Sequence, residues 1–184
     1  MKFLVLLAGC GLGDGSCVEE VILTYIALDK YECDYTPVAE DISVPSVDHF
    51  TESFAENRRV LREAARIGRG RIQDIRNIDF GEYDALIIPG GIGLLNNYKD
   101  SATVKACVTH FAGSEKPIAT MCAGIDFLRG FLGSDLLACE TQELTADQYC
   151  HDIVNNVYYT PAFRKTGSCY EALFGIDAMI HALA

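Results

Sequence analysis

Three short apolar runs in this chain each stop at a turn of small residues. Residues 2–8 end at Gly9, residues 85–88 at Pro89-Gly90-Gly91, and residues 117–121 at Cys122-Ala123-Gly124. Runs with so little polar alternation are the signature of strands covered on both faces. Between them lie segments with apolar residues at helical spacing: 17–30 with Val21, Ile22, Tyr25, Ile26 and Leu28, then 56–67, 104–111, 124–131 and 168–183. A further short strand is expected over 35–39 and two or three over 136–159, whereas 41–54 has no periodicity and reads as an extended loop. Strands that alternate with helices predict an α/β fold with a doubly wound, mostly parallel sheet. In such a sheet ligands bind beyond the carboxyl ends of the strands, so the loops at 9–15, 89–93 and 121–124 are expected to converge.

No linker, repeat or low-complexity tract divides the 184 residues, which predicts a single domain over 1–184. The formal net charge of −11 argues against nucleic acid and against an anionic membrane surface as partners. Leu7-Ala8-Gly9-Cys10 has the form of a lipoprotein cleavage box. The apolar stretch 3–8 before it falls short of the ~7–15 residues that a signal peptide needs, so a buried first strand is expected instead. Nor does any stretch approach the length of a transmembrane helix. Eight cysteines occur without a CxxC pair or a zinc-finger spacing, and a ligand set drawn from Cys139, Cys150, His151 and Cys169 has no distinctive spacing. Reduced thiols in a cytoplasmic protein, with no metal and no organic cofactor, are the expectation.

Cys122 stands apart from the other cysteines. It occupies a strand-to-helix turn, where a helix N-terminus and free backbone N–H groups favour a thiolate. A small buried cysteine capping a core strand is the structural alternative. Gly90-Gly91 permits close backbone approach, either as an oxyanion hole or as a tight turn. The glycine loop 9–15 does not match GxGxxG in register, and Asp14, Glu19 and Glu20 would oppose a pyrophosphate, which argues against a nucleotide site. Glu19 and Glu20 open the first predicted helix; either they complement its dipole, or one of them is buried beside Cys122 and moves a proton. Of the four histidines, only His151 is a candidate for catalysis.

In this order, the residues resemble the ThiJ/PfpI superfamily of class I glutamine amidotransferase-like proteins, and within it the ElbB family, labelled enhancing-lycopene-biosynthesis or glyoxalase proteins. The likeness is carried by Gly9-Cys10-Gly11 with Asp14-Gly15-Ser16, by Asn57-Arg58, Ala64-Ala65-Arg66-Ile67 and Arg69-Gly70, by residues 84–91, by Cys122-Ala123-Gly124, and by Thr160-Pro161-Ala162. It implies a three-layer flavodoxin-like sandwich with Cys122 on a nucleophile elbow. It further implies Glu20 as the glutamate that bonds the cysteine, Gly91 and Ala123 as the oxyanion-hole positions, and a homodimer. The activity implied is a cofactor-independent glyoxalase acting on small aldehyde substrates; an oxidation sensor at Cys122 is the alternative. The chain departs from the pattern at Thr120, where elbows of this kind carry glycine, and at Ala123, where the peptidases carry histidine. Over 138–143 it has Cys139, Glu140 and Thr141 and no histidine.

Overall fold

The computed structural model describes residues 1–136 and 143–184. The runs that end in small residues become neighbouring strands. β1 (Lys2–Leu6), β2 (Asp34–Ala39), β5 (Gln73–Asp74), β6 (Ala85–Ile88), β7 (Ile118–Met121), β8 (Cys150–Asp152) and β9 (Val157–Thr160) form a seven-stranded sheet in the order β5-β2-β1-β6-β7-β9-β8. All pairs are parallel except β8 with β9. The central strands β6 and β7 are buried along their whole length, as runs without alternation require.

Helix α1 (Val18–Lys30) packs against α6 (Cys169–Leu183), and α6 also lies on β7 and β9. Helices α3 (Gly93–Asn97) and α4 (Ala102–Gly113) meet α5 (Gly124–Leu132), with α4 against β6. The result is the three-layer flavodoxin-like sandwich. After β1 the chain winds outward through β2 to β5, then returns to β6 on the other side of β1. The crevice where the order reverses therefore lies at the carboxyl ends of β1 and β6, one strand from the end of β7. There the loops lock together, with the N–H of Cys17 on Gly90 O (2.8 Å) and that of Ile92 on Leu12 O (2.8 Å).

Two expectations fail. Residues 41–54 are no loop, because β3 (Ser43–Asp48) and β4 (Ser53–Arg59) make an antiparallel hairpin. The helix expected over 56–67 is only α2 (Val60–Ala64), since its first four residues belong to β4. Arg58 and Arg59 lie on the hairpin strand, with Arg59 Nε bonded to Asp41 (2.8 Å). The hairpin turn is closed by Asp48, whose carboxylate accepts the N–H of Phe50 (2.8 Å) and Thr51 (3.2 Å). Helix α3 was not anticipated; five residues are too few to display a period.

Candidate active site

Cys122 follows β7 and precedes α5, with φ +48°, a left-handed conformation uncommon for a residue with a side chain. Such strain persists only where the surroundings enforce it. Here its N–H bonds to Thr160 O (3.2 Å), and the Ala123 N–H that opens α5 is directed at the sulfur. Thr120, two residues earlier, is fully buried and donates to Ile88 O (2.9 Å). Its hydroxyl fills the space over Gly124, where an added methyl group would lie 2.0 Å from Oγ1. The threonine that departs from the family pattern is thus packed against a glycine one turn on.

Of the two glutamates that open α1, Glu19 is exposed and accepts a hydrogen bond from the Cys17 thiol (3.3 Å), while Glu20 is fully buried. Gly90 is wedged between Glu20 and the elbow. A methyl group there would lie 2.4 Å from Glu20 Oε2 and 2.9 Å from Cys122 Cβ, so acid and thiol flank the same point. Neither Glu20 oxygen meets a donor at full hydrogen-bond geometry among the described residues. Burial consequently raises its pKa to about 7, against a smaller downward pull from the N–H groups of Gly90 and Phe163 and from the Cys122 thiol. Burial, reinforced by the Glu20 charge, likewise raises Cys122 to about 11, with the Ala123 N–H and Arg164 acting downward. The helix N-terminus therefore does not by itself make a thiolate: the Glu20 charge opposes ionisation of Cys122, while the Cys122 thiol eases that of Glu20.

Gly91, with φ +129°, is pressed onto the first loop, where an added methyl group would strike Gly15 O at 2.2 Å. The glycine N–H that turns to the buried carboxyl is that of its neighbour Gly90. His151 lies on the edge strand β8, stacked on Tyr158 and bonded through Nε2 to Asn156 Oδ1 (3.0 Å). That environment accounts for it as a packing residue two strands from the elbow. Cys139 and the rest of 137–142, where a triad histidine was sought, lie outside the described residues. Among the described residues no group of three or more His, Cys, Asp or Glu side chains is arranged to hold a metal ion.

The sequence did not single out the segment after β9. Thr160 holds the elbow, the Phe163 N–H faces Glu20, and Arg164 Nη2 bonds to Asp126 Oδ2 on α5. The Thr160-Pro161-Ala162 block was a signal for this segment, but nothing in it pointed to Arg164.

A sheet of this order, with a strained cysteine after a central strand and a buried acid beside it, defines an amidotransferase-like α/β protein with a nucleophile elbow. The family model described as DJ-1/PfpI matches residues 47–132, which include Cys122 and not Glu20. The human glutamine amidotransferase-like class 1 domain-containing protein 3, mitochondrial, is 31% identical over 66% of this chain and 50% of its own length. The rat ES1 protein homolog, mitochondrial, is 30% identical over the same shares. The chain thus spans about half the length of these curated relatives. An isoprenoid biosynthesis protein with amidotransferase-like domain from Ehrlichia chaffeensis superposes with a TM-score of 0.90 at 28% identity, covering 100% of this chain and 97% of that one. Drosophila melanogaster DJ-1beta, at 15% identity and a TM-score of 0.59 over 100% and 90%, shares the fold. Over residues 47–132 the chain is thus similar to the DJ-1/PfpI family, and its fold is that of the solved structures of this kind.

Proposed function

We propose that the protein is a cofactor-independent glyoxalase-type enzyme of the ElbB kind, which converts small α-oxoaldehydes such as glyoxal and methylglyoxal to hydroxy acids. One observation carries this reading: a buried carboxyl with a pKa raised to about 7 stands at the cysteine of a nucleophile elbow. A group that titrates near the working pH can both take and return a proton, as an acid–base catalyst must.

In the proposed cycle the ionised Glu20 takes the Cys122 proton while the sulfur attacks the aldehyde carbon. The S–C bond forms, the carbonyl π pair moves onto oxygen, and a hemithioacetal results. Backbone N–H groups at Ala123 and Gly91 are assigned to that oxygen. Glu20 returns the thiol proton to the hemithioacetal oxygen and, ionised again, carries the proton from the sulfur-bearing carbon to the neighbouring carbonyl carbon, while the hydroxyl proton passes to the neighbouring carbonyl oxygen, leaving a hydroxy thioester. Water cleaves the thioester, releases the hydroxy acid and restores the thiol. The net change is addition of one water, with no external oxidant or reductant.

An oxidation sensor at Cys122 is the alternative; like the catalytic reading it needs a thiolate, which burial disfavours by pushing the thiol up to about 11. A homodimer and a cytoplasmic location belong to the same proposal. Exposed Ile22 and Ile26 on α1 are consistent with a partner surface. The described residues contain no helix long and apolar enough to cross a membrane. The curated relatives are named as mitochondrial proteins, and their compartment is not carried over.

The test is Cys122→Ser assayed for hydroxy-acid production from glyoxal. Loss of turnover by roughly 100-fold or more is expected, because oxygen is a far weaker nucleophile at this pH. Unchanged turnover in the variant would overturn the proposal.

A further inference from the structure

The segment that closes the site ends in a cation. From Thr160, whose carbonyl holds the Cys122 N–H, the chain turns through Pro161 and Ala162 and places the Phe163 N–H toward Glu20. Arg164 comes next, and its Nη2 bonds to Asp126, four residues beyond Cys122 on α5. The guanidinium is thus carried on one side by the strand that fixes the elbow and on the other by the helix that starts from it. Arg129 shares the same aspartate through Nη1 (3.4 Å) and spends Nε and Nη2 on Leu136 O (3.0 and 2.9 Å). Two guanidiniums on one carboxylate leave this cluster of three with one positive charge in excess, in a chain whose formal charge is −11.

Two further facts tie that charge to the sulfur. Arg164 acts on Cys122 electrostatically, lowering its pKa against the stronger effect of burial. The Tyr159 hydroxyl, on the adjoining strand, is buried with no hydrogen-bond partner among the described residues. Its pKa is raised to about 12 by burial, with Arg164 opposing and Cys122 adding to the rise. A guanidinium with N–H groups to spare, within electrostatic reach of an unpaired phenol, offers donors for a planar anion. An ion pair as exposed as Arg164–Asp126 adds little to stability, so its placement is not explained by the fold.

We propose that Arg164 is an anion-binding residue at the mouth of the Cys122 site and selects small carbonyl compounds that bear a carboxylate. The proposal rests on Cys122 being the nucleophile, and it narrows the substrate class given above. Nothing in the chemistry of the elbow requires such a group, so the two can be tested apart.

The probes are iodoacetate and iodoacetamide, alkylating reagents of similar size that differ in a carboxylate. Their rates at Cys122 are followed by mass spectrometry of the Cys122 peptide in the full chain. In the wild type the iodoacetate-to-iodoacetamide ratio should exceed that of Arg164→Gln by at least about fivefold, and Arg164→Lys should keep most of the excess. The excess should shrink in high salt, because the site is open to solvent. Equal ratios in the wild type and Arg164→Gln, with Cys122 still alkylated by iodoacetamide, would overturn this proposal and leave the nucleophile reading standing. A Cys122 that iodoacetamide does not alkylate would sink both. Circular dichroism of each variant verifies that the fold is kept, and if the glutamine variant is misfolded the wild-type ratio carries the test: an excess that does not shrink in high salt would overturn the proposal.

Discussion

The elbow is walled by strands and a buried acid, whereas the hairpin of β3 and β4 stands in solvent, with six of the seven β4 residues exposed. Phe50 is 95% exposed and Phe54 66%, while Glu20 is wholly enclosed. The hairpin reaches the elbow's side of the sheet by two polar contacts with the glycine loop: Val47 N–H on Asp14 Oδ2 (2.8 Å) and Gly13 N–H on His49 Nε2 (3.2 Å). In the first region the acid and the thiol are hemmed in by backbone and buried side chains; in the second the backbone is paired and the aromatic side chains Phe50 and Phe54 stand in solvent. Chemistry belongs where position is enforced, and tolerance to change belongs to the other.

The largest effect should follow Glu20→Gln, which keeps the shape and removes the proton carrier. Turnover should fall by roughly 100- to 10,000-fold, and the rise of wild-type activity with pH through about 7 should vanish. Stability should move in the opposite sense. The folded pKa of about 7 lies above the ordinary 4.5, so the native state holds its proton more firmly than the unfolded chain. Wild-type stability is therefore highest below pH 4.5 as far as this group is concerned, and declines as pH rises through 7. Denaturant titration should find Glu20→Gln more stable by on the order of 3 kcal/mol at pH 8 and unchanged at pH 4. No pH dependence in that difference would mean that Glu20 is not held protonated by the fold.

Gly90→Ala should come next. The new methyl group meets Glu20 Oε2, Cys122 Cβ and Met121 O, all within 3 Å. Overpacking of this kind costs about 1–3 kcal/mol, and a shifted acid should lower turnover about 100-fold. Thermal melts and steady-state kinetics read the two separately. Unaltered kinetics would show that the wedge between acid and thiol is not needed.

The smallest effect is expected from Phe50→Ser with Phe54→Ser. Within one chain these changes should alter stability by no more than about 0.5 kcal/mol. Sedimentation velocity provides the sharper measurement: a dimer that persists in the double variant places the proposed partner surface away from the hairpin.

The same contrast explains what could be read from the sequence. Buried strands must be apolar throughout, so β6 was legible to the residue and β1 and β7 to within two. The elbow was legible because a cysteine followed by small residues after such a strand has few other uses. The hairpin was not, because exposed strands need no apolar face, and residues 56–59 continued into a true helical turn at Val60. Which of Glu19 and Glu20 faces inward depended on the rotation of α1, which loop contacts set. Arg164 was invisible for a plainer reason: its role depends on Asp126, 38 residues earlier, and no local pattern links them.

The hydrogen bond from the Cys122 N–H to Thr160 O has a consequence in time. During synthesis Cys122 leaves the ribosome well before the strand that fixes its backbone. Glu20, Gly90 and Cys122 are all made while Thr160, Phe163 and Arg164 are still to come. Until β9 docks beside β7, the elbow lacks the bond that holds its strained turn, and the acid lacks one of the N–H groups that face it. A nascent chain therefore carries Cys122 in an unfinished setting until the last strand arrives.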